Sequence, residues 1–381
     1  MSNQFIYLDY NATTPLDDRV FDAMVPYFKD HYANPGSTHL FGLTVREAVD
    51  EAIENLAEVI GGRSNDILFT SGATEAINLA LKGFTFSERK HIVTISTEHK
   101  AVLDTCSFLE SNGYSVTYIP VDSSGMINTE MLSSMVTDQT LLVSVMLVNN
   151  ETGVILPIKE ISEIAHRKGA LMLCDGTQAV GKMPVGVKDL DVDFFAFSAH
   201  KFYGPKGVGG LYLSNNAKKI LTPQIHGGKQ QRGLRSGTLN VPGIIGMGKA
   251  ASLSASEMSA DCIRIKGLRD LLEEGLLTIS DSFVNGHSEH RLYNTTNLSF
   301  PGVQSEKLIV NLGSIAVSSG SACSATITKP SHVLEAMGLS DADSLSALRF
   351  SLGKFTTLEE VEKTIDVMKI TVDRLRNNQF A

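Results

Sequence analysis

Apolar positions Val45, Ala48, Val49, Ala52, Ile53, Leu56 and Ala57 recur between polar neighbours at helical spacing, which predicts an amphipathic helix ending at Gly61-Gly62. From there short apolar runs alternate with helical ones: DILFT then ATEAINLALKG, HIVTIS then AVLDTCSFLESNG, SVTYIP then NTEMLSSMV, LLVSVMLV then IKEISEIAHRKG, and finally ALMLCD. That alternation predicts parallel strands joined by crossover helices. The runs DFFAFS and GVGGLYLS follow with no full helix between them, which predicts an antiparallel strand joining the same sheet. Beyond about residue 250 the serine-rich stretch ASLSASEMSAD leads into a helical pattern around IRIKGLRDLLEEGLL, then strands at NTTNLSF and ALRFSL and a last helix from about Thr357 to Leu375. The expected organisation is a large α/β domain over residues 15–255. A smaller α+β domain is built from residues 1–14 and 256–381.

A chain of 381 residues with 43% hydrophobic content has enough apolar surface for two or three lobes. No apolar run reaches the roughly 18 residues of a membrane span, and the start MSNQFIYLDYNATTP lacks a basic-then-apolar leader, so a cytoplasmic protein without membrane attachment is expected. The net charge of -9 argues against an extended nucleic-acid footprint. Cysteines at 106, 174, 262 and 323 show neither paired metal spacing nor the density of a disulfide framework, which suits thiols of a reducing compartment. His287 and His290 in GHSEH have no further ligands in sequence reach and read as solvated residues, so no metal is expected.

In open α/β sheets ligands gather at the carboxyl ends of strands. ALMLC ends in Asp175, three residues before Gln178, and FFAFS ends in Ser198-Ala199-His200-Lys201 with the turn residues Gly204-Pro205 beyond. A lysine held against apolar surface loses its charge more readily and can condense with an aldehyde, although most lysines after strands are surface groups. A strand-end carboxylate such as Asp175 can keep the ring nitrogen of pyridoxal phosphate protonated, or equally cap a following turn. SGATEA opens a helix with a glycine and a hydroxyl, leaving backbone N–H groups for a phosphate or for an ordinary cap. His99 stands where a strand gives way to a helix, as a cap or as an imidazole able to stack on a flat ring. Tyr212 occupies the third glycine position that a dinucleotide fingerprint in GVGGLY would need, and there is no phosphate loop of the nucleotide-hydrolase type.

The ordered set LDYNATTP, NPGSTH, SGATEAIN, TEHKAVL, VNNETGV, DGTQAVGK, SAHKFYGPKGVGGLY, RSGTLNVPG, SSGSACSA and LRFSLGKFTT resembles the NifS/IscS cysteine desulfurases, within class V of the pyridoxal-phosphate aminotransferase superfamily. The likeness spans nearly the whole chain. It implies fold type I, with a mostly parallel seven-stranded sheet flanked by helices. It also implies that Lys201 is the Schiff-base lysine, that Asp175 partners the ring nitrogen and Gln178 the phenolic oxygen, and that His99 stacks on the ring and moves protons. Ala73, Thr74, Ser198 and His200 become phosphate ligands, and Thr238 reaches the phosphate of a neighbouring subunit in a homodimer. Asn150 and Arg349 become the groups that orient the substrate carboxylate, for which a guanidinium fork is well shaped. Asn150 also counts among the residues around the cofactor.

The resemblance further implies that L-cysteine is converted to L-alanine while its sulfur passes to Cys323 as a persulfide. A cysteine set in SSGSACSA has the Ser/Gly composition of a tether able to carry sulfur outward to an acceptor protein. His99 is a candidate for deprotonating it. Cys106, Cys174 and Cys262 lie in helical or strand patterns and are expected to be packing residues. The distance from Cys323 to Pro330-Ser331-His332 matches the long-loop branch, which hands sulfur directly to several proteins. Lys329 replaces the acidic residue usual before Pro-Ser. The chain ends at Ala381, soon after RLRNNQF, so the tail with which IscS-type members dock the iron–sulfur scaffold is not expected. Acceptors in iron–sulfur assembly, tRNA thiolation and DNA phosphorothioation all remain open. A selenocysteine lyase or another class-V enzyme, and an inactive scaffold subunit, are the competing readings.

Overall fold

The computed structural model describes residues 5–84, 87–320 and 329–377. Its strands, in chain order, are β1 (Ile6–Tyr7), β2 (Ile67–Thr70), β3 (His91–Ile95), β4 (Ser115–Ile119), β5 (Thr140–Met146), β6 (Leu171–Asp175), β7 (Phe194–Ser198), β8 (Gly209–Leu213), β9 (Phe283–Val284), β10 (Thr295–Ser299), β11 (Ile315–Ala316) and β12 (Ala347–Ser351). Seven form one sheet in the order β2-β8-β7-β6-β5-β3-β4. The strands from β7 to β4 pair in parallel, while β8 is antiparallel to both β7 and β2. This is the arrangement the alternating pattern predicts, with GVGGLYLS supplying the inverted strand.

Burial on both faces explains why these strands read as continuous apolar runs. Every residue of β5, β7 and β8 is buried, and the core on one face of the sheet is separate from that on the other. Leu68, Leu142, Leu173, Phe194 and Leu211 face one set of helices, and Phe69, Val143, Met172, Phe195 and Tyr212 the other. The alternation follows from the two-residue period of a strand.

The predicted early helix spans Leu40–Val59 and buries Val45, Val49, Ala52, Leu56 and Ala57, the stripe read from its spacing. It lies against a single helix of 37 residues, Val241–Leu277. The serine-rich stretch, expected as a lead-in, is in fact inside this helix. Small side chains are what the packing there requires: a Cβ on Gly248 would stand 2.6 Å from Ala52, and Ser254 sits beside Gly181. The same helix then leaves the large sheet and supplies Ile265, Leu272 and Leu276 to another core, shared with β10, β12 and the helix Leu358–Asn377. β1 joins this second body by pairing in parallel with β11. No helix of the described residues is long and apolar enough to cross a membrane.

Candidate active site

The carboxyl ends of β2, β3, β5, β6 and β7 point the same way, and the segments that leave them line one cavity of about 1280 Å³. Ala73, Thr74, His99, Asn150, Asp175, Gln178, Ser198, His200, Lys201 and Arg349 all line it. Thr238 does not line the cavity and lies at the surface of its own chain. Cys323 falls in residues 321–328, outside the described residues, but Gly320 on one side of that segment and Lys329 and Pro330 on the other do line the cavity.

Lys201 closes a single 3₁₀ turn, Ala199–Lys201, that follows β7 directly. Its Nζ donates to the Asn11 carbonyl at 2.5 Å and the Ala12 carbonyl at 2.7 Å. Burial, with the Arg349 guanidinium adding to it, lowers its pKa to about 8, while Asp175 and Asp9 pull the other way. The surface-lysine reading is therefore set aside, because this amine is half neutral near pH 8.

Asp175 ends β6 and is buried, and its Oδ1 accepts from the Thr177 N–H at 2.9 Å. The capping role and the site role thus coexist, since one carboxylate oxygen serves the turn. Gln178 is fixed at both ends: its Nε2 donates to the Asn11 carbonyl at 2.9 Å, and its Oε1 accepts from Lys182 Nζ at 2.7 Å.

His99 caps the helix Lys100–Glu110 by accepting the Ala101 N–H on Nδ1 at 3.1 Å. A neutral imidazole in that arrangement carries its proton on Nε2. Burial, with Lys201 and His332 contributing, pushes His99 below its ordinary pKa against the pull of Asp175. Neutral His99 is thus set to donate a proton from Nε2. Accepting one from a thiol there needs that proton to leave first.

The helix Ala73–Lys82 starts from Gly72 with φ 156° and no side-chain cap among the described residues, which leaves its first-turn N–H groups for an anion. Ser198 and His200 line the cavity with Ala73 and Thr74. Burial first, then Lys201 and Lys206, lowers the His200 pKa to about 4, and its Nδ1 lies 3.1 Å from Thr13 Oγ1. His200 is neutral at pH 7. Arg349, on β12, donates from Nη1 to the Asn150 carbonyl at 2.9 Å and from Nη2 to Asp9 Oδ1 at 2.5 Å.

An amine of lowered pKa, a strand-end carboxylate, an imidazole and an uncapped helix start on one wall suit pyridoxal phosphate. A guanidinium on the facing lobe suits an amino-acid carboxylate. Among the described residues no cluster of three or more His, Cys, Asp or Glu could hold a metal. Cys106 and Cys174 are buried, with burial pushing the former to about 12 and the latter also upward, so neither is a thiolate near neutral pH.

Several site residues carried no individual assignment from sequence. Asn11 and Ala12 receive the lysine, Lys182 orients Gln178, and Glu151 accepts the Ser331 hydroxyl at 2.5 Å. The motifs LDYNATTP, VNNETGV and DGTQAVGK flagged these stretches, but a backbone carbonyl leaves no sequence signal of its own.

The chain matches the model of the aminotransferase class-V family over residues 6–364. It is 48% identical over 377 residues to the cysteine desulfurase IscS of Pasteurella multocida (strain Pm70), covering 97% of this chain and 93% of that one. Among solved structures, one described as a NifS-like protein superposes with a TM-score of 0.91 at 39% identity, covering 97% of this chain and 100% of the other. SspA, solved in complex with cysteine, superposes with a TM-score of 0.82 at 36% identity, covering 92% and 100%. A chain matched along nearly its full length, with these residues gathered at the strand ends, belongs to the class-V aminotransferases, a pyridoxal-phosphate family, and within them to the NifS/IscS cysteine desulfurases.

Proposed function

We propose that the protein converts L-cysteine to L-alanine and passes the sulfur to Cys323 for delivery to an acceptor protein. The observation that carries this reading is the single cavity that unites Lys201, Asp175 and His99 with Arg349, and is lined by the chain on both sides of the Cys323 segment. Bound there, pyridoxal phosphate supplies an electron sink for carbanion chemistry. Lys201 would hold the cofactor, and its ε-amine would move the α-proton of the substrate. Asp175 would partner the cofactor's ring nitrogen, Gln178 and His99 would hold the ring, and the helix start at Ala73 and Thr74, with Ser198 and His200, would take the phosphate. Asn150 and Arg349 orient the substrate carboxylate.

The Cys323 thiolate attacks the substrate sulfur. An S–S bond forms, the Cβ–S bond breaks with its electron pair going to carbon, and protonation of that carbon completes alanine. Cysteine and enzyme thiol thus become alanine and enzyme persulfide, with no external oxidant.

The working unit is a homodimer in which Thr238 of one subunit completes the phosphate site of the other. The surface position of Thr238, with its loop tethered through the Arg235–Glu75 pair at 2.9 Å, supports this. A domain division near residue 255 is supported by the long helix, which gives Ala250 and Ala251 to one core and Ile265 and Leu272 to another. A cytoplasmic location suits four cysteines with no framework spacing. Delivery to iron–sulfur assembly is the acceptor role most in keeping with the IscS relatives.

The test is alanine and sulfide release from L-cysteine with a thiol reductant, for the native protein and for Cys323→Ala. Both products from the first and neither from the second are expected. Undiminished release by the variant would move a lyase or aminotransferase reading ahead.

A further inference from the structure

Arg349 is almost wholly buried, with its side chain 6% exposed, and Nε has no hydrogen-bond partner among the described residues. Among the described residues its guanidinium plane is therefore set by two bonds, one to the Asn150 carbonyl and one to Asp9. The Asn150 carbonyl is shared with the Asn11 side chain, whose Nδ2 lies 3.2 Å from it. Asp9 is the ionic partner, and the chain around it is firmly mounted. Ser351 N donates to the Leu8 carbonyl at 2.8 Å and Tyr10 N to the Ser351 carbonyl at 3.2 Å, so Asp9 rides beside β12 two residues along from Arg349. The carboxylate and the guanidinium are thus carried by bonded neighbouring backbones. Two residues on, the Asn11 carbonyl receives Lys201.

We propose that Asp9 is the positioning residue for substrate recognition, holding the Arg349 guanidinium in the plane in which it meets the α-carboxylate of the amino-acid substrate. This rests on the reading of Arg349 as the carboxylate-binding group. A carboxylate arriving on Arg349 binds a guanidinium already oriented and partly neutralised. Recognition then depends on shape as well as charge, because a fork bonds a carboxylate well in one plane only. Without Asp9, one shared carbonyl remains among the described residues to hold the group. The guanidinium then turns, and discrimination between carboxylate-bearing and carboxylate-free amines falls.

The experiment uses the cofactor-loaded enzyme and two probes, L-alanine and ethylamine, which differ by the carboxylate. The affinity of each is read from the change in the cofactor's visible absorption. In the native protein L-alanine binds far more tightly. Asp9→Ala is expected to reduce the L-alanine to ethylamine affinity ratio about tenfold or more, the scale of a hydrogen bond to a charged group. Asp9→Asn keeps an acceptor oxygen in place and restores most of the ratio. In turnover the KM for L-cysteine rises more than kcat falls.

An unchanged ratio in Asp9→Ala, or an equal loss for both amines, overturns the proposal. Arg349→Ala separates the two layers. If it abolishes the preference while Asp9→Ala keeps it, Asp9 has no positioning role. If Arg349→Ala keeps the preference, the reading of Arg349 itself fails and the proposal falls with it. Should Asp9→Ala not fold, Asp9→Ser, whose hydroxyl is uncharged and withdrawn from reach, is read by the same criteria.

Discussion

The Ser331 hydroxyl donates to the Glu151 carboxylate at 2.5 Å, joining residues 180 apart in sequence. The same oxygen, Oε2, lies against Gly320, where a Cβ would come well inside contact distance. Glu151 therefore touches the chain on both sides of residues 321–328, and Ser331 in turn caps the helix His332–Ala336. Gly320 has φ 81°, a conformation that costs a side chain about 1 kcal/mol or more. Gly320→Ala should lower stability by at least that amount and displace Glu151. Persulfide formation at Cys323, followed by mass spectrometry after one turnover, is expected to slow about tenfold while cofactor absorbance stays native. Adding Glu151→Ala removes the clash and leaves the φ strain, so the double variant should recover part of the stability lost by Gly320→Ala. Additive losses would contradict this coupling.

Glu98 is fully buried. Its Oε1 accepts the Met146 N–H at 2.6 Å, while Oε2 has no partner among the described residues. Burial first, then the charge of Asp175, raises its pKa well above 4.5. The fold thus holds a proton that the unfolded chain releases, so stability falls as pH rises above the unfolded value and on through the window to the raised one. Glu98→Gln keeps the acceptor for Met146 and removes the titration. Denaturation midpoints across that window should flatten, with the variant gaining on the native protein as pH rises. Glu98→Ala strands the Met146 N–H and is expected to cost about 1–3 kcal/mol.

Periodicity made the sheet and its inverted strand legible, since strand alternation leaves marks in the order of residues, and strand-end polar groups pointed to Asp175, Ser198, His200 and Lys201, whereas Asn150 and Arg349 came only through the family resemblance. The continuous helix Val241–Leu277 was less legible. The serine-rich stretch reads as a lead-in to a helix, yet Ser254 is buried beside Gly181 and Ser256 bonds back to the Leu253 carbonyl at 2.8 Å, both within the helix. Asp9, Asn11 and Glu151 act through backbone carbonyls or partners 180 to 340 residues away. No local spacing encodes such pairings.

Lys182 is buried, and burial with the nearby charges of Lys201 and Arg349 pushes it toward the neutral form. Its Nζ fixes which way the Gln178 amide points. Lys182→Met fills similar volume without the donor and removes the penalty of a buried amine. Stability should hold or rise, whereas cofactor affinity should fall about fivefold, the scale of one hydrogen bond, as Gln178 becomes free to turn. Equilibrium dialysis of the cofactor against native and variant protein measures this. A drop in stability with unchanged affinity would make Lys182 a packing residue only.

Lys201 must be neutral to capture an aldehyde, and its pKa is lowered from 10.5 to about 8. Below pH 8 the ammonium dominates and its burial opposes folding in full. As pH rises from about 8 towards 10.5 the unfolded chain binds more protons than the folded one, so the cofactor-free protein gains stability over that window. The rate at which cofactor-free protein captures pyridoxal phosphate should climb nearly tenfold per unit well below pH 8 and level off just above it. Arg349→Met removes the cation that adds to burial in lowering the Lys201 pKa, so the midpoint should move upward, towards the ordinary lysine value. Asp9→Asn removes a charge that acts in the opposite direction, and the midpoint should move down. Stopped-flow absorbance across pH 6–9.5 resolves both displacements, and a midpoint that stays fixed in both variants would mean that burial alone sets the reactivity of this amine.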